Sequence, residues 1–483
     1  MRATGSRRRG AATHPRAGSL WLPLLALAVL AAATAIAAIA TTLEVPPRVL
    51  APYLRQRAAD HHPLLAATGD WAARVLTDLD RGEWRLPRSA GLHIAAASDA
   101  PVVGKVVSVA SAEHAIEAIA RAHAGDVITF EPGMYRFALG IEAREPGSAQ
   151  APITVRAAQP GTVVLEFQMS DGFVVSAPHW TFENLTIRGT CAQHSECEHA
   201  FHVVGGGHHF TARRNTLTDF NAHVKVNGQD RRFPDDGLIE DNTLTNSRPR
   251  ETENPVTPID LVAASRWTIR GNLITDFAKA QGDRVSYGAF AKGGGSDNRF
   301  ERNVVLCEVQ LRGSPGWRVG LSLGGGGTAV EYCRDKRCIT EQDGAVLESN
   351  LIASCSDDGI YLNRAATSRI VHNTLLDTAG VSVRFPESSA EAEGNLVDGA
   401  IRSRDGALLH ERDNLETDVA WLYVGRHPLR GLYHDAGGLD LSWSGTPPRR
   451  RVAATAADLC GSTRPATPAY GAFEDFRACT RAH

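Results

Sequence analysis

Charged and aromatic residues that could carry out acid–base chemistry lie on short, strand-like segments of the chain. Lys292 ends the apolar run AFAK, Lys225 lies in VKVN, and Tyr361 and Arg384 lie in IYLN and VSVR. A lysine whose pKa is lowered by a neighbouring positive charge can take up a proton. A tyrosine can donate a proton, and an arginine can neutralise a carboxylate. We therefore interpret Lys292 as a candidate base, Tyr361 as a candidate acid and Arg384 as a candidate anion-binding residue.

These segments share one pattern, in which the first and third residues are apolar and the second and fourth vary. Eight segments have it, and they begin at Phe173, Phe201, Val224, Ile259, Ala289, Leu321, Ile360 and Val381. Side chains alternate along a strand, so the variable positions face outward, and stacked strands repeat about every 4.8 Å. Stacking thus predicts two outward columns. The residues of these columns that we expect to bind substrate are His202, Lys225, Asp260, Asn227 and Asn363.

Stacking of the coils brings Lys225, Asp260 and Lys292 within reach of one bound molecule. The glycines after the strands, such as Gly293–Gly295, keep the turns low, so an extended chain could lie across this face. The alternative for each charged residue is a solvent-exposed position that only keeps the protein soluble. The mixture of charges, aromatic rings and glycines favours a binding groove.

An asparagine repeat predicts the fold that positions these columns. The asparagines lie 22 to 47 residues apart, at Asn184, Asn215, Asn242, Asn272, Asn303, Asn350, Asn373 and Asn395. A repeat of this length, with two-residue apolar alternation around it, is typical of a solenoid of strands. We predict an all-β, right-handed parallel β-helix whose buried asparagines form a hydrogen-bonded ladder. The longest gap contains GGGGTAVEYCRDKRCITEQDG, a loop that we expect on the functional face.

The remaining sequence predicts four regions along the chain. They are an N-terminal signal anchor or signal peptide (1–43), a helical membrane-proximal linker (44–105), the β-helix (106–417) and a loose C-terminal tail (418–483). The uncharged run Ala17–Leu43 follows five arginines, which is typical of a single membrane-spanning helix with its start in the cytoplasm. A cleaved signal peptide is the alternative. We expect an inner-membrane protein with a periplasmic β-helix, or a secreted one if the segment is cut.

A short helix is predicted just before the first coils. Ser111 is its expected N-cap, and Ala115 and Ile119 belong to its apolar stripe. Such a helix would cover the open end of the first coil, because the end of a solenoid exposes apolar surface.

The cysteines agree with export. There are eight, and three pairs are close in sequence: Cys191 with Cys197, Cys333 with Cys338, and Cys460 with Cys479. We predict a disulfide for each pair, which requires an oxidising compartment. Cys307 and Cys355 form either a fourth bridge or two buried thiols.

No metal site is expected from the spacing of cysteines and histidines. We interpret His194, His199, His208 and His209 as loop residues. The net charge of -3 shows no broad basic field, so no nucleic-acid partner is expected.

Two stretches, GDVITFEPGMYRF and APITVRAAQPGTVVLEF, resemble the opening of the polysaccharide lyases that include chondroitinase B and alginate lyases. That group lies within the pectate-lyase-like β-helix superfamily. The resemblance implies a catalytic lysine, which Lys292 matches, and an arginine one coil later, where this chain has Gly324. It also implies Ca²⁺ held by acidic residues before the lysine, but SYGAFAK contains none.

The resemblance implies an acidic polysaccharide as substrate and β-elimination as the reaction. Two alternatives stay open: a non-catalytic glycan-binding or envelope structural protein, and a β-helical glycoside hydrolase. The hydrolase would use the adjacent Asp357 and Asp358 together with Asp260. We expect a monomer that has the polysaccharide and, through its N-terminal helix, the membrane as partners.

Overall fold

The computed structural model describes residues 44–82, 104–325, 327–452 and 456–480, together with seven single positions between 27 and 42. Most of the predicted anchor or signal segment (1–43) and part of the predicted linker (44–105) therefore lie outside the described residues. Within the described residues, no helix combines the length and the apolarity needed to cross a bilayer.

In the described residues, three long parallel sheets of twelve, eleven and ten strands wind around one core. The twelve-stranded sheet consists of Lys105–Val109, Asp126–Phe130, Ile153–Ala157, Trp180–Glu183, Thr211–Arg213, Leu238–Glu240, Thr268–Arg270, Arg299–Glu301, Val346–Glu348, Ser368–Val371, Ser389–Glu393 and Leu408–Arg412. The eleven-stranded sheet consists of Gly133–Phe137, Val163–Phe167, Thr186–Gly189, Thr216–Thr218, Thr243–Thr245, Leu273–Thr275, Val304–Leu306, Leu351–Ala353, Thr374–Leu376, Leu396–Val397 and Leu415–Glu416. The ten-stranded sheet consists of Ile141–Ala143, Asp171–Val175, His199–Val204, Ala222–Asn227, Ile259–Val262, Val285–Lys292, Trp317–Leu323, Ile360–Asn363, Gly380–Arg384 and Ala400–Arg404. The predicted parallel β-helix is confirmed.

Smaller elements join and cover the coils. Short parallel strands are Gly295–Ser296, Gln342–Asp343 and Ala365–Ala366, and an antiparallel pair is Tyr433–Asp435 and Asp440–Trp443. The α-helices of the described residues are Pro47–Ala59, Pro63–Arg81, Ala112–Ala120, Val419–Leu422 and Arg477–Thr480. The 3₁₀-helices of these residues are His194–Glu196, Val330–Tyr332 and Arg430–Leu432. The helix Ala112–Ala120 has Ser111 as its N-cap and buries Ala115 and Ile119, as the sequence predicts.

Apolar alternation fills the interior of the coils. In Ile153–Ala157 the first, third and fifth residues are buried and the two between them are partly exposed. Aromatic side chains stack from coil to coil, with the ring centroids of Phe173 and Phe201 5.5 Å apart. Each fully buried side chain of this kind stabilises the fold by roughly 1.5–3 kcal/mol.

The asparagine ladder is confirmed from Asn215 onward. The amide nitrogen of Asn215 donates to Oδ1 of Asn242 at 3.0 Å, and the same bond recurs in each later coil. The ladder extends one coil beyond the predicted set, to Asn414. Asn184 does not belong to it, because Leu185 occupies the ladder position and donates its backbone N–H to Asn215. The motif was one residue out of register in that coil.

The N-terminal helices pack against the last coils of the β-helix. Arg48 is buried and contacts Asp80 of the second helix at 2.6 Å and Asp377 at 3.0 Å. It also donates to the carbonyl oxygen of Cys355 at 2.8 Å. The described part of the predicted linker is therefore docked on the solenoid, a contact between residues far apart in sequence that no local pattern reveals.

The C-terminal segment is folded rather than loose. Leu441, Phe473 and Phe476 are buried in a second apolar cluster with Leu351 and Leu376 of the eleven-stranded sheet. The prediction of a loose tail was wrong, because this segment covers the outer face of a sheet whose outward residues are apolar here.

All eight cysteines are paired in the structure. The three expected bridges are present, and Cys307 with Cys355 forms the fourth. Four disulfides are typical of a protein from an extracytoplasmic, oxidising compartment.

Candidate functional site

The two outward columns predicted on the ten-stranded sheet are confirmed by the strand register. His202 pairs with Lys225, Lys225 with Asp260, and Asp260 with Phe290. The second column continues in the same way from Asn227 through Val262 to Lys292. Residues distant in sequence therefore lie side by side on one face.

A groove of about 730 Å³ opens over these columns, and we name it the lysine groove. Lys225, Asp260 and Lys292 lie in its floor. Its other lining residues are Asn227–Arg231, Phe233, Pro255, Val262, Gly327–Ala329, Glu331–Arg334 and Lys336. The three charged residues singled out from the sequence therefore share one cavity.

Lys225 and Asp260 form an ion pair at the centre of the floor. Lys225 Nζ lies 2.6 Å from Asp260 Oδ2. Asp260 is only 3% exposed, and its Oδ1 is buried without a hydrogen-bond partner. A buried carboxylate oxygen of this kind gains from any donor that a bound molecule brings, because an unsatisfied buried acceptor is costly.

Lys292 lies beside this pair, and no carboxylate of the described part of the chain forms an ion pair with it. Its ammonium lies 4.4 Å from the centroid of the Phe290 ring. Burial lowers the pKa of Lys292, the positive charge of Lys225 lowers it further, and the carboxylates of Asp260 and Glu341 oppose this. The net lowering favours a neutral amine, the form that can act as a base.

The inserted loop forms one wall of the groove and is firmly held. Arg334 makes two bonds of 2.7 Å to Asp235, and its guanidinium lies 4.5 Å from the centroid of the Phe233 ring. The Cys333–Cys338 disulfide closes the loop on itself. Tyr332 is exposed at this wall. The sequence predicts a loop on the functional face and singles out Cys333 and Cys338 in it as a disulfide, but it singles out no residue of the loop for binding.

Glycines bring this loop close to the groove floor. A side chain at Gly325 would place its Cβ 2.9 Å from Cδ of Lys292, closer than real contacts allow. Glycine at 325 therefore lets the backbone lie directly against the Lys292 side chain. The sequence predicts that glycines after the strands keep the turns low. At Gly325 the glycine instead lets the inserted loop cover the Lys292 side chain closely.

Tyr361 and Arg384 lie in a different cavity from Lys292. This second cavity, about 270 Å³, lies over the last coils of the same sheet. Its lining residues are Arg48, Val49, Pro52, Val285, Tyr287, Trp317, Val319, Asp357, Asp358, Tyr361, Arg384, Arg402 and Arg404. Asn363 lies next to it and donates to the Tyr361 hydroxyl at 3.2 Å. The three catalytic candidates are therefore divided between two cavities.

Asp357 and Asp358 bring acid–base chemistry of another kind to the second cavity. Asp358 pairs with Arg402 at 3.0 Å. Burial, and then the charge of Asp358, raise the pKa of the Asp357 carboxyl to about 7. Asp260 lies in the lysine groove, so the carboxylates considered for a hydrolase do not line one cavity.

His202 joins the lysine groove through Asn227. His202 Nε2 lies 2.8 Å from Asn227 Oδ1. His199, interpreted from the sequence as a loop residue, instead begins the strand His199–Val204 and contacts Asp171. The stretch before His199, which carries the Cys191–Cys197 disulfide, looks irregular in sequence. His199 nevertheless belongs to a strand, because it pairs with Asp171 one coil earlier.

Comparison with solved structures places a pectate lyase, Pel9A, on the same architecture. Its TM-score is 0.51 and its sequence identity 14%, over 74% of this chain and 90% of that chain. The protein has the pectate-lyase-like β-helix fold. No protein-family model and no curated protein matches the chain.

Two further structures with the pectate-lyase-like β-helix match with lower scores. An alginate lyase from Paenibacillus sp. str. FPU-7 has a TM-score of 0.34 and 13% identity, over 64% of this chain and 99% of that chain. The A-module of the Azotobacter vinelandii mannuronan C-5 epimerase AlgE4 has a TM-score of 0.35 and 13% identity, over 66% of this chain and 93% of that chain.

Calcium, which the resemblance to pectate-lyase-like enzymes implies, does not fit the residues around Lys292. A calcium ion needs six to eight oxygen ligands. The carboxylates near Lys292 are Asp260, which is already paired with Lys225, and Glu341, whose Oε2 accepts from Thr328 at 2.8 Å. Two lysine ammonium groups in the same space would also repel a cation. We therefore assign no step to calcium.

Proposed function

We propose that the protein is an extracytoplasmic polysaccharide lyase that binds an acidic polysaccharide in the lysine groove and cleaves it by β-elimination. The observation that carries the proposal is the presence of Lys225, Asp260 and Lys292 in one groove, with the pKa of Lys292 lowered. A pectate lyase shares the fold, which supports an acidic polysaccharide as the substrate class.

In this proposal Lys292 is the base. The neutral amine takes the proton α to the uronate carboxylate, the electron pair forms a carbon–carbon double bond, and the glycosidic oxygen leaves. Elimination needs a positive group that neutralises the carboxylate as charge develops. Lys225 can supply it, because its ammonium lies in the same floor and its contact with Asp260 holds it in place.

The leaving oxygen needs a proton. Tyr361, the acid expected from the sequence, lines the second cavity and not the groove. Tyr332 is the one tyrosine among the described residues that line the groove, and its side chain is 66% exposed at the wall. We assign the donor role to Tyr332, whose hydroxyl proton goes to the leaving oxygen. The proton that Lys292 has taken from the substrate is then released to water, and Tyr332 takes one up from water, which returns both groups to their starting state.

The test is turnover of a panel of acidic polysaccharides, followed by the ultraviolet absorbance of the new double bond. Replacing Lys292 by alanine should lower the rate by about 10²–10⁴-fold, as for loss of a general base. Lys105→Ala is the matched control, since Lys105 is exposed on the twelve-stranded sheet. Equal rates in the two variants, or no absorbance with any uronan, would contradict the proposal.

One observation favours a second candidate, glycan binding without turnover. Lys225 is already paired with Asp260 and Arg334 with Asp235, so much of the charge in the groove is satisfied within the protein. Calorimetric binding to a uronan with no double-bond absorbance would select this candidate over the lyase.

A further inference from the structure

A cluster of imidazole and carboxylate groups lies next to the lysine groove on the ten-stranded sheet. Asp171 Oδ1 is 2.6 Å from Nδ1 of His199 and 3.0 Å from Nδ1 of His202. All three residues are half-buried and belong to adjacent strands, Asp171–Val175 and His199–Val204. One carboxylate oxygen thus faces two ring nitrogens.

The second nitrogen of His202 has its own partner. Nε2 lies 2.8 Å from Oδ1 of Asn227, and the Asn227 amide is oriented by a bond of 3.2 Å from its Nδ2 to the carbonyl oxygen of Gly228. His202 therefore donates Nε2–H to an oxygen, which leaves a lone pair on Nδ1 in the singly protonated ring. Metal-binding histidines are held in this way by an outer hydrogen bond.

A lone pair on His202 Nδ1 points at a carboxylate oxygen. Two acceptors cannot face each other across 3.0 Å unless a proton or a metal cation lies between them. The same oxygen also lies 2.6 Å from Nδ1 of His199, so the two ring nitrogens and the carboxylate oxygen converge on one point.

We propose that Asp171, His199 and His202 bind a divalent transition-metal ion of the zinc type, with Asn227 as the residue that orients His202. Two imidazoles and one carboxylate are a common ligand set for such ions and suit them better than calcium. In a tetrahedral zinc site the ligand atoms lie roughly 3.3 Å apart, so the His202 ring has to move outward by about 0.3 Å and the His199 ring by about 0.7 Å. The fourth position would hold water or an anionic group.

The site stands independently of the proposed function, because it rests on its own ligand atoms. Lys225, which lies opposite His202 on the next strand, is paired with Asp260, which reduces its repulsion of a bound cation. A second group of histidines, His179, His208 and His209, also brings three ring nitrogens close together in the described residues. Any experiment has to separate the two groups.

The experiment is calorimetric titration of the full-length, chelator-treated protein with Zn²⁺, in a His208→Ala/His209→Ala background that removes the second group. We expect one Zn²⁺ per chain. Adding His202→Ala or His199→Ala should weaken binding at least about 100-fold, and Asn227→Ala should weaken it about 10–100-fold. Co²⁺ should give a visible absorption band in the background protein that the His202→Ala variant lacks.

Circular dichroism checks that each variant folds, and Asn227→Ala tests the site if a histidine variant does not. Two outcomes overturn the proposal: no Zn²⁺ binding in the His208→Ala/His209→Ala background, or an affinity that is unchanged by His199→Ala and His202→Ala. The first outcome would assign the bridging position between Asp171 and His202 to a proton.

Discussion

The lysine groove and the second cavity lie on the same face of the same sheet, and they differ in what covers them. The groove is walled by an inserted loop closed by the Cys333–Cys338 disulfide, and its floor carries Lys225, Asp260 and Lys292. The second cavity is walled by the helix Pro47–Ala59 and carries carboxylates and arginines. The columns thus determine which residues are neighbours, and the covering segments determine how far each is removed from water.

Burial has opposite consequences for charge in the two places. It lowers the pKa of Lys292 in the groove and raises the pKa of Asp357 in the second cavity to about 7. Both shifts favour the neutral form, since a low dielectric penalises any charge. The same physical effect thus moves Lys292 toward the free amine and Asp357 toward the protonated acid.

The largest expected contrast is in turnover. Lys292→Ala should reduce the rate of double-bond formation by about 10²–10⁴-fold. Asp357→Asn should leave it within about twofold, because Asp357 does not line the groove. A comparable loss in both variants would mean that the two cavities act as one site.

The next contrast concerns the cover of the second cavity. Arg48→Ala should lower the free energy of unfolding by about 3–5 kcal/mol, because it leaves the buried carboxylate of Asp80 without its guanidinium partner. Asp377 loses one of its three arginine contacts and keeps those to Arg81 and Arg312. Arg55→Ala is the control on the same helix. Its pair with Asp70 is solvent-exposed, so it should cost only about 0–1 kcal/mol. Urea denaturation of both variants gives the comparison. Equal losses of unfolding free energy would contradict a stabilising role for the buried contacts of Arg48.

The cover of the lysine groove is tested by opening its loop. The Cys333→Ser/Cys338→Ser variant should raise KM for the uronan about tenfold, which corresponds to about 1.4 kcal/mol of binding. Its kcat should change less, because Lys292 stays in its strand. The matched control is Cys191→Ser/Cys197→Ser, which opens a loop whose cysteines do not line the groove. A rise in KM in the control alone would show that the loop is not a wall of the binding site.

The smallest effects are in the pH dependence of stability, and they differ in sign. The folded-state pKa of Asp357 is raised, so the native protein holds a proton that the unfolded chain loses, and stability falls as pH rises from about 4 to about 7. The pKa of Lys292 is lowered, so the unfolded chain holds the extra proton, and stability rises with pH from the folded-state pKa up to 10.5.

Each slope is at most about 1.4 kcal/mol per pH unit. Asp357→Asn should reduce the first slope, to which the raised pKa values of Asp358 and Asp241 also contribute, and Lys292→Met should reduce the second. Thermal melts across the two pH windows measure both, and slopes that these substitutions leave unchanged would assign them to other groups.

Most of the fold could be predicted because it repeats. The asparagine ladder, the register that brings Lys225 next to Asp260, and the three local disulfides all follow from short-range patterns. The one error in the ladder, at Asn184, arose where the motif tolerates a shift by one residue.

The segments that cover the coils, namely the N-terminal helices and the C-terminal segment, could not be predicted because they do not repeat. Neither the docking of Arg48 on Asp377 nor the packing of Phe473 leaves a periodic signal. The division of the catalytic candidates has the same cause, since Tyr361 belongs to the predicted column but lies under a different cover from Lys292. The strand position of His199 was missed because its only sign is a pairing across coils.

The docking of the first helix has a mechanical consequence. Arg48 is joined to Asp377, 329 residues later in the chain. Tension applied to the N-terminal end is therefore passed to the last coils and does not peel the solenoid from its first coil. The coils that carry the lysine groove lie between Arg48 and Asp377 in the sequence, and they bear none of this tension until the Arg48–Asp377 contact breaks.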